Sequence, residues 1–241
     1  MTRVARQLAQ FVLLLSVIAA LLLLAAGPGT RVALWGYGTG FQLMRWAGFA
    51  GLAVAAVATV MLLLPYTRRA ALVALVVALV LGLGTAFVPW NALREARAVP
   101  PIHDITTDTR RPPQFVAILP LRAAAPNPAA YGGPDVARAQ AAAYPGLRTR
   151  RMDATPADAF KRALQAARDM GWEIVAADAA AGRIEATDTT FWFGFKDDVV
   201  IRVEADGAGS RVDLRSVSRV GVSDVGTNAR RIRAYLRALG T

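Results

Sequence analysis

Cysteine is absent from this 241-residue chain, and histidine occurs once, at His103. The absence of cysteine excludes disulfides, thiolate metal ligands and a cysteine nucleophile. A zinc site would require further nitrogen or sulfur ligands, so we expect no metal ion. The sequence also lacks a G-x-S-x-G nucleophile elbow. We therefore expect no assembled catalytic set and no cofactor.

Charged residues are scarce as well, at 19% of the chain, whereas hydrophobic residues reach 55% and the mean hydropathy is +0.37. The net charge is +11, of which residues 1–100 contribute +7 through eight arginines and one acid. Most of the excess positive charge therefore flanks apolar segments, where it orients helices in a membrane. A nucleic-acid-binding protein would need a dense basic stripe with a recognisable motif, so we expect no nucleic-acid partner.

Three long apolar runs occupy the first hundred residues, at about 8–27, 46–66 and 70–90. About 20 apolar residues in a helix cross a hydrocarbon core of ~30 Å. The sequence thus predicts a three-helix transmembrane anchor over residues 1–92, with the lipid bilayer as its partner. Cleavage of the first run as a signal peptide is an alternative, although a signal core of about 7–15 residues is shorter than this run.

The short loops between these runs predict the orientation. Arg3 and Arg6 precede the first span, and Arg68 with Arg69 fills the predicted turn between the second and third. The positive-inside rule then places the N-terminus in the cytoplasm of an inner-membrane protein and the C-terminal domain in the periplasm. Arg94 and Arg97, just after the third span, favour the opposite orientation.

The remaining chain changes from continuous apolar to mixed character. Residues 93–147 are rich in proline, alanine and glycine and predict a connector or a strap along a domain surface. Residues 148–241 predict a compact α+β domain. The expected order there is a short strand at 148–152, a helix from Thr155 to Met170, four strands, and a last helix from about Val225 to Leu239. The four strands are expected at 172–177, 183–189, 198–204 and 211–217. Short turns favour an antiparallel sheet of about four to five strands with two helices packed on one face and the other face partly exposed.

Several long motifs in this half resemble a known family. They are Gly194-Phe195-Lys196-Asp197-Asp198, Arg211-Val212-Asp213-Leu214-Arg215-Ser216, the run from Ser223 to Arg233, and upstream His103-Asp104-Ile105 and Pro112-Pro113-Gln114-Phe115. Residues 101–241 resemble the family of unknown function DUF1499. The resemblance implies a coherent domain, often found behind a membrane anchor or export signal, and implies no activity.

Acidic residues and the histidine are the first candidates for chemistry. Asp197 and Asp198 could bind a cation or act as acid and base, but neighbours in a strand point to opposite faces. Pairing with Arg202 or Arg215, or a role in a turn, is the structural interpretation. His103 with Asp104 could serve in catalysis or contact a ligand. Asp224 and Asn228 belong to the loop that enters the last helix and could bind an anion there. Capping of that helix by Ser223 or Asp224 is the alternative.

Arginines on the predicted sheet are the second candidates. Arg215, Val217 and Arg219 should share one face, with Ser216 and Ser218 on the other. Arg202 on the neighbouring strand could join the arginines and bind a carboxylate or phosphate. An ion-pair lattice with the nearby acids is the alternative.

Two functions follow from these candidates. The first is a non-catalytic, membrane-tethered module that binds a partner protein or an anionic lipid or glycan of the cell envelope. The second is an envelope hydrolase that uses Asp197, Asp198 or His103 as acid or base.

Overall fold

The computed structural model describes residues 2–240. By contacts along the backbone the chain divides into two compact units. One comprises Met1–Glu95 with Trp192–Gly194, and the other comprises Ala96–Phe191 with Phe195–Thr241. The first is mainly helical, and the second contains a six-stranded antiparallel sheet, so the fold class is α+β as predicted.

Three helices form most of the first unit: α1 (Thr2–Arg31), α2 (Tyr37–Leu63) and α3 (Pro65–Arg97). All three are long and apolar enough to cross a membrane. The three predicted spans are thereby confirmed as helices, and each helix extends beyond its predicted span at one or both ends. Most of their large apolar side chains are exposed on the outer surfaces, where lipid would solvate them.

The connection between α2 and α3 differs from the prediction. The predicted second span ran to residue 66, but α2 ends at Leu63 and Leu64 is extended, with φ −82° and ψ 117°. The cause is Pro65, because a residue before proline is disfavoured in helical geometry. Arg68 and Arg69 lie in a short helical segment that begins at Pro65, and the backbone leaves helical geometry at Ala71, with φ −153° and ψ 39°. They therefore precede the main part of α3, between the second and third spans, as predicted.

Helices α2 and α3 approach each other at glycines. A Cβ atom added to Gly51 would lie 2.7 Å from the carbonyl oxygen of Gly82, and one added to Gly82 would lie 2.6 Å from that of Gly51. Small residues permit such backbone contacts between membrane helices, which gain van der Waals packing in the absence of a hydrophobic driving force. Ala9, Val54, Ala58, Leu75 and Ala78 complete this helical core.

The sheet of the second unit is a meander with an added edge. Its strands are β1 (Asp104–Thr106), β2 (Arg150–Met152), β3 (Glu173–Asp178), β4 (Arg183–Thr189), β5 (Lys196–Asp206) and β6 (Gly209–Ser218). The order is β1-β6-β5-β4-β3, and β2 pairs with another part of β6. Sequence analysis identified β2 to β6 within a few residues and did not predict β1.

Helices α5 (Pro156–Asp169) and α6 (Thr227–Leu239) cover one face of the sheet and bury Ile184, Val199, Ile201 and Leu214. Thr155 begins α5 as predicted, and its side chain accepts a hydrogen bond from the Asp158 backbone N–H at 3.2 Å. Trp172 stacks on Tyr235 of α6 with ring centroids 5.3 Å apart.

The opposite face of the sheet is covered, which corrects the prediction that it is partly exposed. Residues 107–131, here called the strap, run over it, and Phe115 and Ile118 pack on Val200 and Val217. Helix α4 (Gly133–Ala143) follows the strap. Its Gln140 side chain forms hydrogen bonds with both the N–H and the carbonyl of Thr106, at 2.9 and 2.6 Å. These two bonds pair backbone groups of the edge strand β1 that have no neighbouring strand to bind.

Candidate functional site

Arg215 lies fully buried between the sheet and the strap. Its Nε and Nη2 donate to the two carboxylate oxygens of Asp104 at 2.9 and 2.7 Å. The guanidinium also lies over the rings of Phe115 and Tyr131, 5.2 and 5.4 Å from their centroids. Burial, and then the Asp104 charge, raise the pKa of Tyr131 to about 12. This bidentate pair satisfies Arg215 inside the protein, where no external anion reaches it.

Asp198 is also fully buried on the strap face and receives two arginines. Arg122 of the strap donates to it at 3.1 Å, and Arg219 donates to both of its oxygens at 2.9 and 2.8 Å. Thr187 adds a hydrogen bond at 2.8 Å. Asp198 therefore pairs with Arg219 and Arg122 and not with Arg202 or Arg215 as expected. The reason is that Arg215 is taken by Asp104 and Arg202 by Asp213.

Glu185 anchors the strap through its backbone. Its carboxylate accepts four hydrogen bonds, each of 3.0 Å, from the N–H groups of Val116, Ala117 and Ile118, and a fifth from Arg183 Nε at 2.9 Å. A buried carboxylate needs such partners, since an unpaired buried charge is costly. Glu185 therefore fixes the strap on the sheet.

Asp213 binds Arg202 and Arg211, each at 2.9 Å, and also accepts hydrogen bonds from Thr107 and Thr149. Burial acts to raise its pKa, but these hydrogen bonds together hold the pKa below its ordinary value. Arg202 also bonds Asp108 at 3.0 Å. Arg202, Arg215 and Arg219 were predicted either to bind an anionic ligand or to pair with nearby acids. In the structure all three form ion pairs with acids of the protein.

Asp197 points to the helix-covered face, which confirms that the two neighbouring aspartates diverge. Arg231 of α6 donates to it at 2.6 Å and to Asp188 at 2.7 Å. The same face holds Ser216 and Ser218, whose hydroxyls bond Asn228 at 2.7 and 3.0 Å. Asn228 thus connects α6 to β6 and is fully buried.

The loop between β6 and α6 holds Asp224 and lies beside His103. Asp224 accepts hydrogen bonds from the N–H groups of Gly226 and Asn228 at 2.8 and 2.7 Å. Its carboxylate thus binds an N–H of the first turn of α6, whereas the N-cap residue itself is Gly226. Burial raises the pKa of Asp224, against the effect of these two bonds. The His103 ring nitrogen Nδ1 lies 3.4 Å from the Val222 carbonyl oxygen. Its neighbour Asp104 turns away to Arg215.

A groove of about 530 Å³ opens between the strap and strands β4 and β5. Four arginines line it, together with residues of the strap and of the turn before β4, and we call it the arginine groove: Arg110, Arg111, Arg183, Arg202, Pro112, Pro113, Gln114, Val116, Ala181 and Val200. Of these four arginines, only Arg202 was predicted as a site residue, and Arg110, Arg111 and Arg183 were not. The adjacent Arg110-Arg111 was visible in the sequence, but its position next to β4 depends on the strap.

The sequence profile of the family described as "Protein of unknown function (DUF1499)" matches residues 104–239, more than half of the chain. The chain belongs to the DUF1499 family. No curated protein matches the chain. The DUF1499 match covers all six strands and the strap, and the three apolar helices precede it.

Within the DUF1499 domain, nine of the predicted site residues lie in or beside the end of the sheet where β1 begins and β6 ends: His103, Asp104, Asp197, Asp198, Arg215, Ser218, Arg219, Asp224 and Asn228. These residues are divided between the helix-covered face and the strap face of the sheet. Asp197, Asp198 and His103 therefore do not form one site. Arg202 lies further along β5, opposite Asp213. The described residues contain no group of three or more His, Asp or Glu side chains that could hold a metal ion.

Proposed function

We propose that this protein is a membrane-anchored binding module that presents its DUF1499 domain outside the cytoplasm and binds an anionic envelope component in the arginine groove. The observation that carries the proposal is the convergence of Arg110, Arg111, Arg183 and Arg202 on one open groove. Guanidinium groups bind carboxylates and phosphates through paired N–H donors. Either group would satisfy this chemistry.

Three of the four arginines of the groove form ion pairs, and the fourth, Arg110, is exposed. Arg183 uses Nε and Nη2 for Glu185 and Asp178. Arg111 pairs with Glu204 through Nη2. Arg110 is exposed, and its guanidinium has no ion pair with any described residue. Arg110, Arg111 and Arg183 therefore keep N–H groups for a ligand, because each guanidinium carries five.

Binding fits the arrangement better than hydrolysis. Asp197 and Asp198 lie in buried ion pairs on opposite faces of the sheet, and His103 lies beside the β6–α6 loop. A general acid or base must reach the reacting group in a shared site. Accordingly, we place the function in the groove and not at these three residues.

Titration of the full-length protein in phosphatidylcholine nanodiscs tests this proposal. Glycerol phosphate and polygalacturonate serve as separate probes, to distinguish a phosphate from a carboxylate ligand. We expect saturable binding of at least one probe, weakened by salt. The double change Arg110→Gln/Arg111→Gln should reduce the affinity by about tenfold or more, since each lost charged hydrogen bond is worth about 1.5–3 kcal/mol.

Arg138→Gln is the matched control, because Arg138 is an exposed arginine on α4 that pairs with Asp135 and lies outside the groove. It should leave the affinity unchanged. Failure of both probes to saturate, or an equal loss of affinity in the control, would reject the groove as the binding site.

The external location of the domain rests on the arginines that flank the spans. Alkaline phosphatase fused after Thr241 should be active in a Gram-negative host, and a fluorescent protein that folds only in the cytoplasm should be dark at the same position. The reverse pattern would place the DUF1499 domain in the cytoplasm.

A further inference from the structure

One end of the DUF1499 sheet carries exposed apolar side chains at the tips of its loops. This end, where β1 begins and where β4 and β6 end, is here called the Asp104 end. The β4–β5 loop there reads Thr190-Phe191-Trp192-Phe193-Gly194-Phe195, and Phe191 is 91% exposed. An exposed phenylalanine at a loop tip costs free energy in water unless the tip contacts an apolar phase.

Two further apolar side chains lie at the same end. Val222, in the loop that follows β6, is 75% exposed, and Leu121 of the strap is 56% exposed. The Leu121 carbonyl accepts a hydrogen bond from Arg219, which directly follows β6, and this bond places Leu121 at the Asp104 end. Three separate segments of the chain thus present an exposed apolar residue at one end of the sheet.

The opposite end, here called the Gly182 end, has a different composition. The β3–β4 turn there consists of Ala179, Ala180, Ala181 and Gly182, and the β5–β6 turn consists of Gly207 and Ala208. Because their side chains are small, these tips gain little free energy from contact with an apolar phase. The asymmetry between the two ends therefore points to a specific contact at the Asp104 end.

The chain leaves the membrane helices at the Asp104 end. Helix α3 ends at Arg97 and β1 begins at Asp104. Seven residue steps, fully extended, span on the order of 25 Å, and Pro100-Pro101 stiffens this short connection. The DUF1499 domain is therefore tethered through the start of β1, by a short connection, to the bilayer that α3 is long and apolar enough to cross.

The β4–β5 loop is also preformed and flanked by cations. The Thr190 N–H donates to the Phe195 carbonyl, and the Phe195 N–H donates to the Thr190 hydroxyl, both at 2.8 Å. Gly194 takes the left-handed conformation, with φ +70°. Lys196 after the loop and Arg230 at the start of α6 are exposed. Aromatic residues with basic neighbours favour the interface between lipid headgroups and acyl chains.

We propose that the Asp104 end is a second membrane-binding site, in which Phe191, Val222 and Leu121 insert into the interfacial layer of the bilayer that anchors the chain. The partner is lipid, and the site is separate from the arginine groove, which includes Ala181 of the β3–β4 turn. The insertion holds the DUF1499 domain against the membrane in one orientation and leaves the Gly182 end towards water.

Single-cysteine labelling tests this proposal directly, because the natural chain contains no cysteine. Full-length Phe191→Cys and Val222→Cys variants are labelled with an environment-sensitive fluorophore in vesicles of phosphatidylcholine and phosphatidylglycerol. Ala180→Cys and Ala208→Cys are the matched controls at exposed tips of the Gly182 end. Lipids brominated near the headgroup and aqueous iodide serve as the two quenchers.

We expect labels at 191 and 222 to emit at shorter wavelength than the controls, to be quenched by brominated lipid and to be protected from iodide. Labels at 180 and 208 should show the reverse. Quenching of position 191 by iodide alone would overturn the proposal, as would protection of that position from both quenchers, since protein and not lipid would then cover it. Neither result bears on anion binding in the groove, which the titration measures independently.

Discussion

Arg215 and Asp104 form a two-bond ion pair across 111 positions of sequence, and both side chains are buried. Asp104 lies in β1, and Arg215 lies in the β6 segment that pairs with it. The pair therefore joins the N-terminal edge of the DUF1499 sheet to its central hairpin beneath the strap. Such a pair stabilises little compared with an apolar core, but loss of one partner leaves an uncompensated charge.

Asp104→Ala should destabilise the domain by about 3–5 kcal/mol, because Arg215 would then be buried without its carboxylate. Chemical denaturation of the full-length protein in detergent measures the change. The signal is the change in fluorescence of Trp172, above the constant background of the remaining tryptophans. Asp135→Ala removes an exposed ion pair on α4 and should cost no more than about 1 kcal/mol. Equal destabilisation by the two changes would contradict the role assigned to the buried pair.

Glu185→Gln should loosen the strap. The amide retains one acceptor oxygen where the carboxylate has two, and it cannot pair with Arg183 as an anion. Each lost bond to a charged acceptor costs about 1.5–3 kcal/mol. Hydrogen exchange at the amides of residues 116–118 should therefore accelerate. The control is Glu173→Gln on the exposed edge strand β3, which should leave those amides protected, and unchanged exchange in Glu185→Gln would show that other contacts hold the strap.

Stability should depend on pH through Asp213, whose pKa is held below its ordinary value of 3.8. A carboxylate with a lower pKa in the folded state adds stability above its unfolded pKa and loses it as the pH falls through the folded pKa. The difference in unfolding free energy between wild type and Asp213→Asn should thus be largest near neutral pH. Denaturation series should show it shrinking below about pH 5. Parallel curves would contradict this assignment.

The local elements of the domain were predictable because their signals lie within a few residues. The Thr155-Pro156-Ala157-Asp158 sequence predicted the start of α5, and the structure confirms the cap. The β4 strand has the predicted bounds, Arg183–Thr189. Alternation along a strand also predicted that Arg215 and Arg219 share a face opposite Ser216 and Ser218, which is correct.

A strap along the domain surface was one of the two predictions for residues 93–147, but its position on the second sheet face was not predictable because long-range contacts alone hold it there. Glu185 lies 67 to 69 positions from the amides that it binds, and Arg122 lies 76 positions from Asp198. Proline and alanine in the strap give no periodic pattern, so sequence analysis left the second sheet face open. The same omission hid the arginine groove, one wall of which is the strap.

The glycine contact between α2 and α3 gives a prediction for the membrane helices. A methyl group at Gly82 would lie 2.6 Å from the Gly51 carbonyl oxygen and 3.1 Å from the Ala55 nitrogen, and backbone atoms cannot move aside without separating the helices. Gly84, two residues further along α3, has nothing within 4 Å of its added methyl group.

Gly82→Ala should therefore destabilise the helical unit by about 1–3 kcal/mol through overpacking. Gly84→Ala should be neutral or slightly stabilising, because alanine favours a helix over glycine. Unfolding in mixed detergent and dodecyl sulfate measures both variants, and an equal response would mean that α2 and α3 do not depend on this contact.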